Sequence, residues 1–319
     1  MTATPGHPHA RRSRELSLLA ALALILLVLG WRAPRFFSAA NLADLATSLA
    51  PALVAAMGMA LVILARHIDI SIGSQFAVCG VVMGLVAKAG LPVPLAAGSA
   101  ILAGAGLGAM NGALVAGLGL PAIVVTLATM VAWREGLRWA TEGTWVRGLP
   151  ESFQWLGLGQ AGGRLLIVVT AAAVFALFAW GLATLRAGRA VYATGSDAEA
   201  ARLLGLRPRR VVFAVFVLMG ALTGLAAVLT TIQFIDVQPN AGVGLELRII
   251  AAVVVGGVAI SGGRGSSLGV LLGVLFLAVL GPALVFLGGK AHWDRALQGA
   301  IILVAVASET ARRRGADHD

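Results

Sequence analysis

Residues 210–231 read RVVFAVFVLMGALTGLAAVLTT, and no charged residue follows Arg210 in this stretch. A helix needs about 20 apolar residues to cross a bilayer, so this segment is long enough to do so. Similar apolar runs recur along the chain, at 16–31, 48–65, 75–88, 93–118, 121–140, 164–185, 246–261, 266–287 and 295–309. The sequence therefore predicts an all-α transmembrane protein built as a bundle of about ten helices.

The composition excludes an ordinary soluble domain. The chain has 319 residues, of which 59% are hydrophobic and 12% are charged, whereas a soluble domain carries about 25% charged residues. The net charge of +10 does not indicate nucleic-acid binding, because the arginines lie mainly in short segments between apolar runs. That distribution is typical of membrane topology signals.

The arginine distribution also predicts the orientation. Arginines are most frequent in 186–210 and near both termini, which all fall on the same side of a ten-helix bundle. By the positive-inside rule, that side is the cytoplasm. We expect a cytoplasmic tail at 1–15, a single membrane domain at 16–309 and a second cytoplasmic tail at 310–319. The basic N-terminus followed by an apolar run resembles a signal peptide, but without a small-x-small cleavage site it is interpreted as a retained first span.

The segment 186–209 contains a short helix signal between two membrane spans. Ser196 and Glu199 have the spacing of an S-x-x-E capping box, and Gly205 followed by Pro208 suits a helix end. These signals predict a helix over 197–204. Its residues Ala200, Leu203 and Leu204 would share one face,. Such a helix is either a docking element or an ordinary amphipathic connector, and the pattern by itself leaves both open.

Four segments, in order, resemble one family. Glu199-Ala200-Ala201-x-x-x-Gly205 resembles the EAA motif of ABC-transporter permeases. IDISIGS at 68–74, PAIVVTLATM at 121–130 and the glycine-rich stretch 246–266 resemble matching segments of the ribose-type sugar ABC importer permeases. Residues 141–150 and the surroundings of Cys79 are most similar to the autoinducer-2 import branch. The chain departs from many sugar permeases at two places. They have two glycines where this chain has Arg66-His67, and they usually have a glycine where it has Ala128.

The resemblance implies a permease subunit in a bacterial inner membrane, importing a sugar-like solute such as autoinducer-2, ribose or rhamnose. It implies three protein partners: an ABC ATPase, a periplasmic substrate-binding protein, and a second permease that is either a copy or a homologue. The ATPase would bind the predicted helix over 197–204, which would then be the coupling helix. The residues implied in this contact are Ser196, Glu199, Ala200, Ala201, Leu203, Leu204 and Gly205. No catalytic residue, cofactor or metal is expected in this chain, since no Walker A sequence is present and Gly289-Lys290 lacks its spacing,.

Asp69 is the strongest candidate for a pathway or gate residue. A carboxylate near the bilayer centre costs about 2.5–3.5 kcal/mol on insertion scales, so it should face protein or water. Asp69 is then either a gate at a helix break, with Ser71 and Gly73 capping a turn, or a residue at the end of a span that pairs with Arg66. Nothing in the sequence decides between these two roles.

Neutral polar residues supply the other pathway candidates, which are Ser71, Asn111, Thr126 and Gln233. A hydroxylated solute needs hydrogen-bond donors and acceptors without a charge that would trap it. The competing interpretation is that these side chains make ordinary hydrogen bonds between helices.

An ion-coupled secondary transporter is the alternative function. Such a protein would need acidic or histidine relays within the membrane, and only Asp69, Asp236 and Glu246 lie near a span. A membrane-embedded enzyme is a weaker alternative, because no cluster of His, Cys and carboxylates has metal or nucleophile spacing.

Overall fold

The computed structural model of this chain describes residues 8–289 together with five later positions, 293, 296, 299, 300 and 303, and it describes side chains from residue 15 onward. This part of the chain is all-helical, apart from an isolated bridge between Val146 and Val237. Its α-helices are α1 (Pro8–Arg32), α2 (Ala39–Leu64), α3 (Ile72–Lys88), α4 (Val93–Gly112), α5 (Ala122–Thr141), α6 (Gly159–Thr184), α7 (Arg186–Ser196), α8 (Ala198–Leu203), α9 (Pro208–Thr231), α10 (Leu245–Val255) and α11 (Ser267–Phe286). Short 3-10 segments lie at Pro34–Phe37 and Glu151–Gly157, and a π-helical turn at Ala113–Gly117 extends α4. Helix α1 starts inside the segment that the sequence predicts to be a tail.

Six helices in the described part are long and apolar enough to cross a membrane: α1, α2, α4 with its π-helical extension, α6, α9 and α11. Helix α3 is apolar but has only 17 residues. Helix α5 has 20 residues but includes Arg134, Glu135 and Arg138. The predicted count of ten spans is therefore not confirmed, and the run 295–309 lies almost entirely outside the described residues.

The predicted span at 246–261 is wrong in length. Helix α10 has 11 residues and ends at Val255, about 16 Å at the usual rise per residue. Gly257 then adopts a φ of +90°, and Gly256 packs against the carbonyl oxygen of Gly269 in α11. The glycines thus turn the chain back on itself before the apolar run ends, which hydropathy alone does not reveal.

Glycines also decide how α4 and α9 pack. Gly104 and Gly108 of α4 face Gly220 and Gly224 of α9, and a Cβ at any of the four would collide with the main chain of the other helix. Small residues at these positions let transmembrane helices approach closely, which favours van der Waals packing where lipid supplies no hydrophobic drive. This contact joins the middle of the chain to its later half.

Two non-helical segments interrupt the bundle. The first joins α2 to α3 at residues 65–71, where Arg66 has a φ of 69°. The second joins α9 to α10 at residues 232–244 and runs along α3, with Val237 against Gly84 and Gly242 against Gly73. We call the end of the bundle that carries α8 the α8 end, and the end that carries the Val146–Val237 bridge the opposite end.

Candidate functional site

Helix α8 is the first part of the candidate site, and its cap differs from the prediction. Asp197 is the N-cap, and its Oδ1 accepts hydrogen bonds from the N–H groups of Glu199 and Ala200 at 2.9 and 3.0 Å. The predicted capping box on Ser196 is therefore wrong. Ser196 is the last residue of α7, an 11-residue helix that the sequence analysis missed, and only Asp197 has the extended backbone that an N-cap requires,.

The outer face of α8 is apolar and exposed. Leu203 and Leu204 are 82% and 81% exposed, whereas Ala201 is buried against the bundle. Gly205 has a φ of +80° and ends the helix as predicted, and Pro208 begins α9. Glu199 pairs with Arg202 at 3.2 Å on the exposed side. Two leucines held in water on a short capped helix are well suited to dock on another protein.

Helix α7, which leads into α8, is tied closely to the end of α2 and to the turn before α11. Gly195 at the end of α7 packs on the carbonyl oxygen of Leu64, at the end of α2. That oxygen accepts the N–H of Gly263 at 2.9 Å, and Tyr192 in α7 donates its hydroxyl hydrogen to the carbonyl oxygen of Gly265 at 3.0 Å. We call these five residues the elbow junction. It brings α7, the end of α2 and the turn before α11 into direct contact.

The second part of the candidate site is a buried polar cluster at the α2–α3 break. Asp69 is fully buried, and it accepts hydrogen bonds from Ser71, through both N–H and hydroxyl, and from Gln75 Nε2 at 2.9 Å. Asn111 of α4 donates to the Ser71 hydroxyl at 2.9 Å. Gln75 also donates to that hydroxyl, at 2.7 Å. These four residues form what we call the Asp69 cluster.

The Asp69 cluster contains three predicted residues and one that the sequence analysis missed. Gln75 lies four residues after Ser71, on the same face of α3, and that spacing was the available signal. The predicted alternative partner of Asp69, Arg66, is exposed and makes no ion pair with it in the described part of the chain. The side-chain oxygens of Gln75 and Asn111 are buried without a hydrogen-bond partner among the described residues.

The other two predicted pathway residues lie apart from this cluster. Thr126 Oγ1 donates to the carbonyl oxygen of Ala122 at 2.9 Å and lies 3.5 Å from that of Ile68, next to the break. Gln233 lies at the opposite end, just beyond α9, where its Nε2 donates to the carbonyl oxygen of Leu229 at 2.8 Å. The structure therefore gathers Asp69, Ser71 and Asn111, brings Thr126 close, and leaves Gln233 in local hydrogen bonding.

Comparisons with known proteins agree with this architecture. Residues 41–306 match the family described as the branched-chain amino acid transport system / permease component. The autoinducer 2 import system permease protein LsrC of Shigella flexneri is 34% identical over 302 residues, covering 93% of this chain and 86% of the relative. The LsrC protein of Photorhabdus laumondii is 33% identical, with 93% and 89% covered. No solved structure matches this chain significantly.

These relatives decide between the functions that the sequence left open. The similarity covers nearly the whole chain, and the relatives are permease proteins of import systems. An ion-coupled secondary transporter does not fit this relationship. The chain belongs to the permease-component family of the branched-chain amino acid transport systems, and it is the membrane permease subunit of a sugar-type ABC importer.

Proposed function

We propose that this permease imports a small sugar-like solute of the autoinducer-2 type, driven by an ABC ATPase that docks on α8. The observation that carries the proposal is the exposed Leu203–Leu204 pair on a helix capped by Asp197 and tied to the bundle at the elbow junction. Because α8 is already ordered, it loses little conformational entropy when a partner binds its hydrophobic surface. The solute is proposed from the names of the relatives, ribose and rhamnose being the next candidates.

The proposed orientation places the α8 end in the cytoplasm. Six arginines lie at this end, between α7 and the first turn of α9: Arg186, Arg189, Arg202, Arg207, Arg209 and Arg210. Such an excess is typical of cytoplasmic segments. The opposite end would then face the periplasm and a substrate-binding protein. Both termini would be cytoplasmic, with 16–309 as the membrane domain between tails 1–15 and 310–319.

A second permease completes the proposed pathway. Helices α5 and α10 expose charged residues, among them Arg138 and Arg248. A charge within a membrane helix normally faces protein or water rather than lipid. This face therefore suits a second copy of the chain, or a homologous permease, with the solute passing between the two.

The Asp69 cluster is the proposed gate of this pathway. It lies at the α2–α3 break, five residues beyond Leu64 of the elbow junction. Movement of α8 would reach the break through the packing of Gly195 on the carbonyl oxygen of Leu64, the last residue before the break. ATP-driven displacement of α8 is thereby coupled to the packing around Asp69.

A variant with one added cysteine tests the docking site and the orientation together. Cys79 is fully buried, so Leu203→Cys adds an accessible thiol to a protein whose native thiol is shielded. A membrane-impermeant maleimide should label Leu203→Cys in inside-out vesicles and not in right-side-out vesicles. Addition of the ATPase should protect it. Labelling in right-side-out vesicles, or unchanged labelling with the ATPase bound, contradicts the proposal.

Uptake measurements test the coupling role. Cells carrying the complete importer should take up autoinducer-2 with the wild-type permease. Glu199→Arg and Gly205→Glu, both on or beside α8, should abolish uptake while the permease still inserts in the membrane. Normal uptake in both variants would remove α8 as the coupling element.

A further inference from the structure

The segment 232–244 meets the first turn of α3 inside the bundle. Gly73, in the first turn of α3, packs on the carbonyl oxygen of Gly242. Val237 contacts Gly84, eleven residues further along α3, and also forms the bridge to Val146 at the opposite end. Eleven helical residues span about 16 Å. The Gly73–Gly242 contact therefore lies about 16 Å along α3 from the Gly84–Val237 contact, away from the opposite end,.

Two helices begin at this point. The N-caps of α3 and α10 are Ser71 and Gly244; the Ser71 hydroxyl makes no capping hydrogen bond, and Gly244 has no side chain to make one. As in any α-helix, the first N–H groups have no partner within the helix, although those of Ser71 and Gly244 bond to the carboxylates of Asp69 and Glu246. Irregular backbone at membrane depth occurs where it is buried in protein or lines a water-filled cavity. Broken helices that start near the bilayer middle commonly form solute sites in transporters.

Two oppositely charged side chains converge on the same place. A Cβ added at Gly73 would collide with Glu246 Oε2 and would lie 3.1 Å from Arg134 Nη2. Both atoms are buried, and neither has a hydrogen-bond partner among the described residues. The other carboxylate oxygen of Glu246 accepts the N–H of Gly244 at 3.2 Å. A buried charged atom without a hydrogen bond is costly, so a polar group that bonds to both atoms would be stabilised here.

The surroundings show that this face does not contact lipid. Arg138 lies one turn beyond Arg134 on α5 and pairs with Glu135 at 3.2 Å, with more than half of each side chain exposed. An ion pair of this kind is unfavourable against hydrocarbon. This part of α5 therefore faces protein or water rather than lipid, as expected for a helix beside a transport pathway,.

We propose that Arg134 and Glu246, with the N-terminus of α3, form a contact site for an uncharged polyhydroxylated solute. The guanidinium donates hydrogen bonds to solute oxygens, and the carboxylate accepts hydrogen bonds from solute hydroxyls. The site carries one charge of each sign. Glu246 repels an anionic solute and Arg134 repels a cationic one, so an uncharged solute is favoured. Because Gly73 has no side chain, Glu246 Oε2 and the carbonyl oxygen of Gly242 can approach the main chain of α3 at this point. This inference rests on the proposed import of a sugar-like solute.

The test measures uptake in cells that carry the complete importer. The probes are ribose and autoinducer-2, with an amino-substituted ribose and ribonate as charged analogues. Arg134→Gln and Glu246→Gln should each raise the KM for the neutral probes about tenfold, without loss of the ATPase from the complex. Arg134→Gln should also shift selectivity toward the amino sugar, and Glu246→Gln toward ribonate. A merely structural role would not move selectivity in opposite directions.

The controls separate this site from general damage. Arg138→Gln removes a charge one turn away and should leave KM and selectivity unchanged. Gly73→Ala should block uptake, whereas Gly136→Ala, which has open space around it, should not. If the wild-type importer takes up the neutral probes and both charge variants keep its KM and selectivity, the proposed site is overturned and the proposed function is not. Failure of the wild-type importer to take up either neutral probe overturns the proposed function, and the site with it.

Discussion

The backbone N–H of Gly263 donates a 2.9 Å hydrogen bond to the carbonyl oxygen of Leu64. This bond joins the turn before α11 to the last residue of α2, and Gly195 of α7 packs on the same oxygen. One main-chain carbonyl of α2 thus contacts two other parts of the chain, α7 and the turn before α11, that are far from it in sequence. The contact also lies beside α8, where the proposed ATPase would act.

Alanine at Gly195 should uncouple ATP hydrolysis from transport. A Cβ there would collide with the main chain of Leu64 and with the N–H of Gly263, so the junction must open. We expect at least a tenfold loss of uptake, with ATPase binding retained because the α8 surface is unchanged. The measurement is uptake together with ATPase co-purification. Gly98→Ala, at a helix position with open space, serves as the control, and unchanged uptake in Gly195→Ala would contradict the prediction.

Asp197→Ala should weaken α8, because Asp197 accepts two backbone N–H groups at its start. Loss of an N-cap costs about 1 kcal/mol. A six-residue helix has little else to keep it ordered, so ATPase affinity should fall about fivefold, as read from titration of the purified permease.

Ser196→Ala is the matched control for that experiment. Ser196 ends α7 and makes no capping bond to α8 in the structure. If Ser196→Ala weakened ATPase binding and Asp197→Ala did not, the result would support the capping box on Ser196 and contradict the cap on Asp197.

Asp69→Asn should impair both stability and transport. The new amide places a donor group in a cluster where Ser71 and Gln75 already donate toward Asp69. A buried group left unsatisfied costs about 1–3 kcal/mol, which should lower the melting temperature in detergent and reduce uptake severalfold. Asp44→Asn, which breaks an ion pair with Arg164 at an exposed position, should change little, since such pairs contribute about 0–1 kcal/mol.

Gly220→Ala should destabilise the bundle, because the added methyl group would strike the main chain of Gly104. Overpacking of this kind costs about 1–3 kcal/mol. Thermal unfolding in detergent measures it. Gly106→Ala, in the facing helix but with open space around it, should be neutral or slightly stabilising because alanine favours the helix. Equal melting temperatures for the two variants would argue against the glycine contact.

Local signals in the sequence predicted a large part of this protein. Apolar runs such as 210–231 mark membrane helices because a bilayer selects for length and hydrophobicity, and α9 occupies Pro208–Thr231. Gly205 and Pro208 marked the end of α8 because their backbone preferences act within one turn. Family motifs indicated an ABC permease, which the comparisons confirm.

Only the tertiary structure decided which distant residues meet. Hydropathy could not show that α10 stops after 11 residues, since the glycine turn that ends it is set by packing on Gly269. Nor could it place Arg134 and Glu246 together beside Gly73. Helix formation depends on neighbours a few residues away, whereas these contacts depend on how α3, α5 and α10 approach one another, and no short stretch of sequence encodes that approach.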